Sequence, residues 1–148
     1  MGEYRSTKTF TGLSCAHRRW QHDGHCALIH GYDRTVTIEF GANHRDKNGF
    51  VMDFGALRPI KSWLESKFDH TLLLDADDPL LPEFRGLEAK GACKLVTFED
   101  VGMEGSAQYI CGFVTDWLDE YTKGRVFVVS VDVAENPKNS GRYLNLTN

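Results

Sequence analysis

The residues of this chain best equipped for chemistry are His17, His22, His25, Cys26, His30 and Tyr32. Four of the six histidines fall in this stretch. A lone histidine is more often structural than a ligand. Four imidazoles with a thiol and a phenol concentrate the donors of a metal or proton-transfer site. The other cysteines, Cys15, Cys93 and Cys111, form no CxxC pair with Cys26 or with each other. Neither a zinc ribbon nor a thioredoxin-type motif is therefore indicated. In a reducing compartment all four are free thiols, and most act as small buried hydrophobes.

Weaker signals lie further along. Asp69-His70 places a carboxylate beside an imidazole, which can orient it for proton transfer. It also reads as a helix-terminal pair. Glu135 ends an apolar strand. A carboxylate there can accept two parallel N–H bonds from an amidine-like N–H pair, or simply reach solvent. Glu104 precedes a helix, where an acid also suits the dipole. Arg18, Arg19, Arg34 and Arg58 are basic candidates that the sequence does not rank. No Walker-type or GxGxxG loop is present.

These residues need elements to position them. Leu13, Cys15 and His17 share one face of a strand running from about Lys8 to His17. Arg18 to Gly24 reads as a loop. From about Ala27 to Gly41 a second strand puts His30, Tyr32, Arg34, Val36, Ile38 and Phe40 on one face, so a buried face runs out into a His/Tyr end. Asn43 to Gly49 is a turn and Phe50 to Phe54 a short apolar stretch. Leu57, Ile60, Leu64 and Phe68 then follow helical spacing, with Pro59 near the start. Asp75 to Pro82 reads as a loop and Cys93 to Phe98 as a short strand. Ala107, Ile110, Val114, Trp117, Leu118 and Tyr121 mark a second helix, stopped by Lys123-Gly124. Arg125 to Glu135 alternates as a strand with Phe127, Val129, Val131 and Val133 on one face. After a turn at Asn136 to Gly141, Arg142 to Leu146 returns as a strand. The order predicts an α+β fold, an antiparallel sheet with two helices packed on one face.

Composition sets the outer bounds. The 148 residues suffice for one domain with a real core, spanning 1–148. With 41% apolar and 26% charged residues and a net charge of −4, the balance is that of an ordinary globular chain without a strongly basic nucleic-acid surface. No apolar run is long enough for a membrane helix, and the first residues lack the apolar stretch of a signal peptide. The expectation is a cytoplasmic protein with no nucleic-acid or membrane partner.

Cys26-Ala27-Leu28-Ile29-His30-Gly31-Tyr32 resembles the C-x3-H-G-H signature of the 6-pyruvoyl-tetrahydropterin synthase family. Other segments match in order: Leu13 to His17, Gly49 to Leu57, Phe68 to Leu73, Glu104 to Ile110 and Val131 to Tyr143. Each is weak alone, but six in sequence are specific. The nearest resemblance is to the bacterial 6-carboxy-tetrahydropterin synthases of 7-deazaguanine (queuosine) synthesis. It implies the tunnelling fold, with subunits assembling into β-barrels and a homo-hexamer of two stacked trimers whose sites lie between subunits. It implies 7,8-dihydroneopterin triphosphate as substrate, and 6-carboxy-tetrahydropterin, acetaldehyde and triphosphate as products.

By the same resemblance, Cys26 is the general base, Asp69 and His70 form the partner proton relay, and His17 and His30 hold Zn2+. Glu135 anchors the pterin ring, assisted by Glu104. Tyr32 departs from the pattern, since the family carries its third zinc histidine there. Tyr32 as a phenolate, His25 or His22 as substitute ligand, or loss of the metal are the three outcomes, with His25 the preferred substitute. Val101-Gly102-Met103 is a second departure, ahead of Glu104. A 6-pyruvoyl-forming lyase and a pterin-binding protein without turnover are the alternatives closest to this reading. Another tunnelling-fold enzyme leaves Cys26 and His30 unexplained, and a structural zinc protein has no need of so large an apolar core.

Overall fold

A computed structural model describes residues 2–146; the ends of the expected 1–148 domain, Met1, Thr147 and Asn148, lie outside the described residues. The strands are β1 (Tyr4–Arg18), β2 (His30–Ala42), β3 (Thr71–Asp75), β4 (Leu95–Phe98), β5 (Phe127–Asn136) and β6 (Asn139–Leu144). The helices are α1 (Arg58–Phe68), α2 (Leu81–Ala89) and α3 (Met103–Thr122), with short 3-10 turns at His25–Ala27 and Phe54–Leu57. One six-stranded sheet runs in the order β4-β3-β1-β2-β5-β6.

The main core lies between one face of this sheet and two helices. Helix α1 contributes Ile60, Leu64 and Phe68, and α3 contributes Ala107, Ile110, Val114 and Leu118, all at 0% exposure. They pack on Val36, Ile38, Phe40, Val128, Val131 and Val133 from β2 and β5. Each large side chain buried this way contributes roughly 1.5–3 kcal/mol. Both helices therefore match the apolar spacing of the sequence. Helix α3 ends where expected, with Lys123 and Gly124 in the left-handed region at φ 54° and 80°.

Two features correct the sequence reading. The sheet is mixed, because β3 pairs parallel with both β1 and β4 while β1, β2, β5 and β6 pair antiparallel. The chain also has a third helix, α2, between the two parallel strands. It covers the other face of that edge, where Leu72, Leu74, Phe84 and Leu95 form a separate small cluster, whereas Leu73 joins the main core. All five residues of β3 are buried, so the strand shows no alternation for a period of two to reveal. Helix α2 begins at Leu81-Pro82, where a missing N–H costs little, and the Asp- and Pro-rich approach hides it.

Bulges decide which residues face the core. In β1, Phe10 pairs with Val36 but Leu13 pairs with Arg34, so one extra residue is inserted there. Gly12, at φ 74°, supplies the conformation this requires. A one-residue slip flips every later side chain. The bulge thus allows both Phe10 and the odd-numbered set Leu13, Cys15 and His17 to point inward. A second irregularity, in β5 opposite Glu39 and Phe40, has the reverse effect on the reading. Val128, Val131 and Val133 are buried, while Phe127 and Val129 turn to the other face beside Gly41. The expected run of Phe127, Val129, Val131 and Val133 on one face is therefore broken at the bulge.

Candidate active site

The β1–β2 register builds the site one pair at a time. His17 lies opposite His30, Cys15 opposite Tyr32 and Leu13 opposite Arg34. Gly31 makes this close pairing possible: a Cβ there would sit 2.9 Å from the Cys15 carbonyl oxygen. The His17 and His30 rings stand 4.3 Å apart between centroids, and His30 meets Tyr32 edge-on at 5.8 Å. His30 donates its Nδ1–H to the Leu28 carbonyl at 2.7 Å, because a carbonyl can only accept. A backbone carbonyl on one ring nitrogen leaves the other to face a ligand, the arrangement a metal-binding imidazole uses.

His17 is buried at 6% exposure, and its Nδ1 has no hydrogen-bond partner among the described residues. Burial, then the Arg34 charge, then His30 lower its pKa to about 3. It is a neutral imidazole at physiological pH. Two imidazoles in contact, one of them neutral and with an orphaned nitrogen, suit a soft or borderline cation. Among the described residues, no group of three His, Cys, Asp or Glu side chains converges. The third donor on the same face is the Tyr32 phenol. His25 lies in the 3-10 turn at His25–Ala27, and His22 is engaged locally, its Nδ1 accepting from the Gly24 N–H at 2.9 Å. The structure does not bring either to the His17–His30 pair.

Cys26 is exposed within the same turn. The turn is held by its backbone, with the Arg19 N–H donating to the Cys26 carbonyl at 2.7 Å and Arg18 Nη1 to the Ala27 carbonyl at 3.3 Å. Arg18 is itself fixed by a two-pronged bond to Asp78, at 2.7 and 2.6 Å. Arg19 reaches Asp100 and Asp75. Both arginines are thus spent on holding the loop.

Asp69 and His70 sit just past α1. His70 has φ 58°, uncommon for a residue with a side chain and a form of local strain found at functional positions. Its N–H donates to the Ser14 carbonyl at 2.6 Å, and the Ser14 N–H reaches Asp69 Oδ1 at 3.3 Å. The His70 Nδ1–H donates to Asp69 Oδ1 at 3.0 Å. The carboxylate therefore orients the imidazole, whose side chain is 87% exposed and presents Nε2 outward. Cys26 makes no hydrogen bond to this dyad.

Glu135 stands near the end of β5, accepting from Asn139 Nδ2 at 3.2 Å. Thr35 pairs with Ala134 and Val36 with Val133, so continuing the register sets Glu135 beside Arg34. Arg34 is the residue that sequence reasoning left unranked. It is 1% exposed, donates from Nη1 to Ser106 Oγ at 3.3 Å and lies over the Phe68 ring. Burial lowers its pKa, offset by the nearby Cys15 thiol and Glu135. The available signal was its inward position on a strand whose next inward residues are all apolar. Glu104 occupies the first turn of α3, against β6; a Cβ on Gly141 would lie 2.8 Å from its backbone nitrogen.

Residues 6–145 match the family described as 6-pyruvoyl tetrahydropterin synthase. The chain belongs to that family. A relative from Halobacterium salinarum called probable 6-carboxy-5,6,7,8-tetrahydropterin synthase is 32% identical over 84% of this chain and 77% of its own length. The 6-carboxy-5,6,7,8-tetrahydropterin synthase of Rickettsia conorii is 40% identical over 45% of this chain, which spans about half (49%) of that relative. The fold matches an uncharacterized Wolinella succinogenes protein, WS1659, with a TM-score of 0.83 at 21% identity, covering 98% of this chain and 99% of that one. It also matches the Plasmodium vivax 6-pyruvoyl tetrahydropterin synthase, with a TM-score of 0.68 at 18% identity over 96% and 98%. Family membership accords with the six ordered segments read from the sequence. No helix of the described residues is long and apolar enough to cross a membrane.

Proposed function

We propose that this protein is a 6-carboxy-tetrahydropterin synthase. With one water, it converts 7,8-dihydroneopterin triphosphate to 6-carboxy-5,6,7,8-tetrahydropterin, acetaldehyde and triphosphate, supplying 7-deazaguanine synthesis in the cytoplasm. The observation that carries this reading is the single row on the core face of the sheet. It runs from the His17–His30 pair, past Tyr32, to Glu135. That row offers metal-ligand chemistry at one end and a carboxylate for an amidine-like N–H pair at the other.

His17, His30 and Tyr32 are the residues that would hold Zn2+; the orphaned His17 nitrogen and the free His30 nitrogen fit it. Bound there, the ion supplies Lewis-acid polarisation of the side-chain oxygens of the substrate. Glu135 holds the pterin through its 2-amino and N3–H groups, with Glu104 assisting from α3. Cys26 takes a proton from the substrate side chain. His70, oriented by Asp69, carries protons to and from the same side chain. Each site is completed by a second copy, whose surface meets the exposed Cys26 and the exposed His70. The assembly is a homo-hexamer of two trimers closed through β-barrels.

Incubation with 7,8-dihydroneopterin triphosphate and one equivalent of zinc, with products identified by mass spectrometry, tests the reading. 6-Carboxy-tetrahydropterin with acetaldehyde is the expected result. A 6-pyruvoyl product would keep the family and change the reaction. The absence of a three-residue His/Cys/Asp/Glu group favours one second reading, a pterin-binding protein without turnover. Bound but unconverted substrate would select it.

A further inference from the structure

Arg34 is a charged group at 1% exposure with donors unspent. Nη1 is used on Ser106. Nε and Nη2 make no hydrogen bond that meets ordinary geometry among the described residues; the guanidinium's remaining interaction is with the Cys15 thiol, whose sulfur is a weak acceptor. Leaving two buried cationic donors unmatched is costly, and the cost is removed if a ligand supplies the acceptors. Nε–H and Nη2–H lie along one edge of the planar guanidinium and point the same way. That edge is a two-pronged fork made for a pair of adjacent acceptors.

We propose that Arg34 reads the O4/N5 edge of the pterin ring, as a specificity-determining residue. The inference rests on the pterin-anchoring role given to Glu135. Arginine recognises the O6/N7 edge of guanine with the same fork, and pterin O4/N5 presents the same pair of acceptors. The order of groups along the ligand also matches the order along the sheet. A pterin offers its 2-amino and N3–H groups, then O4 and N5, then the side chain at C6. The protein offers Glu135, then Arg34, then Tyr32 and the His17–His30 pair. Tyr32 and Glu135, on either side of the guanidinium, both reach the surface. The fork also fits the oxidation state: N5 of a 7,8-dihydropterin is an imine acceptor, whereas N5 of a tetrahydropterin carries a hydrogen and meets the fork donor to donor.

The test is the affinity of the full chain for pterin and for 5-deazapterin, in which C–H replaces N5, measured by calorimetry. The wild-type protein is expected to bind pterin about tenfold more tightly. In Arg34→Met and Arg34→Lys, neither of which can present the fork, the two affinities should become equal. Equal affinities in the wild-type protein would overturn the inference while leaving Glu135 as the anchor, and this comparison holds even if a variant fails to fold. Preference for pterin persisting in a folded Arg34→Met variant would also overturn it, reducing Arg34 to a packing partner of Ser106. Failure of the wild-type protein to bind any pterin would instead overturn the functional reading, and this inference with it.

Discussion

The residues to which the proposed function assigns roles fall into two regions of opposite character. His17, His30, Tyr32, Arg34 and Glu135 lie on paired strands, where hydrogen-bonded register fixes each relative to the next. Cys26 and His70 lie on a 3-10 turn and just beyond a helix end, both exposed. A rigid sheet can hold a ligand and a metal to fixed positions. On the proposed function, exposed proton-transfer groups are free to meet a second copy of the chain, and the contrast then separates binding on one face of the sheet from proton transfer at its rim.

The comparison can be broken at the sheet end first. Glu135→Ala should weaken pterin affinity by roughly 10–100-fold, the scale of a charged, two-pronged hydrogen bond. Its side-chain hydrogen bond goes to exposed Asn139, but Glu135 also offsets the buried Arg34 charge, so the affinity is read on variant protein shown to be folded by circular dichroism. A calorimetric titration with wild-type affinity would remove Glu135 from the binding row.

The buried imidazole makes a sharper and smaller prediction. The folded protein holds His17 at a pKa of about 3, against 6.5 for an ordinary imidazole. The unfolded chain therefore takes up the proton first as pH falls. His17 thus favours the folded state fully above about pH 6.5, and stability declines from there down to about pH 3. The slope from this group is at most ~1.4 kcal/mol per pH unit. Urea unfolding of metal-free protein should show that decline, and His17→Gln should flatten it. Equal slopes in both proteins would mean that His17 is not buried as a neutral ring.

The smallest effect is expected at Tyr32. Imidazole is a better zinc ligand than phenol at neutral pH, so Tyr32→His should keep or raise zinc occupancy. Occupancy by elemental analysis after dialysis measures this. Loss of zinc in that variant would show that Tyr32 does not stand in for a histidine.

Most of the binding face was legible in the sequence because alternation is a direct consequence of strand geometry. His30 to Phe40 in β2, and Leu13, Cys15 and His17 in β1, lie on the faces their spacing indicates. The bulge at Gly12 was not legible, and neither was the one opposite Glu39 and Phe40, because a single inserted residue leaves local composition unchanged. The edge formed by β3, α2 and β4 was hidden for another reason. A strand buried on both faces carries no period, and a nine-residue helix opening on Pro82 looks like the loop before it. Arg34 was visible as a basic residue, but its burial depends on α1 and α3 closing over it, a tertiary fact. Cys26 and the Asp69-His70 pair were visible by residue type, but the specific roles proposed for them came only with the family resemblance. The structure adds the Asp69–His70 hydrogen bond and the unusual φ of His70.

The division between sheet and rim is tested most directly by the Cys26→Ala variant, supplied with zinc and 7,8-dihydroneopterin triphosphate and assayed in one sample for bound pterin and for product. Pterin bound at wild-type affinity, with turnover reduced by a factor on the order of 1,000 or more, is the predicted result. Turnover at the wild-type rate would remove Cys26 from the reaction. Loss of binding would place Cys26 in the row that holds the ligand and contradict the separation of binding from proton transfer.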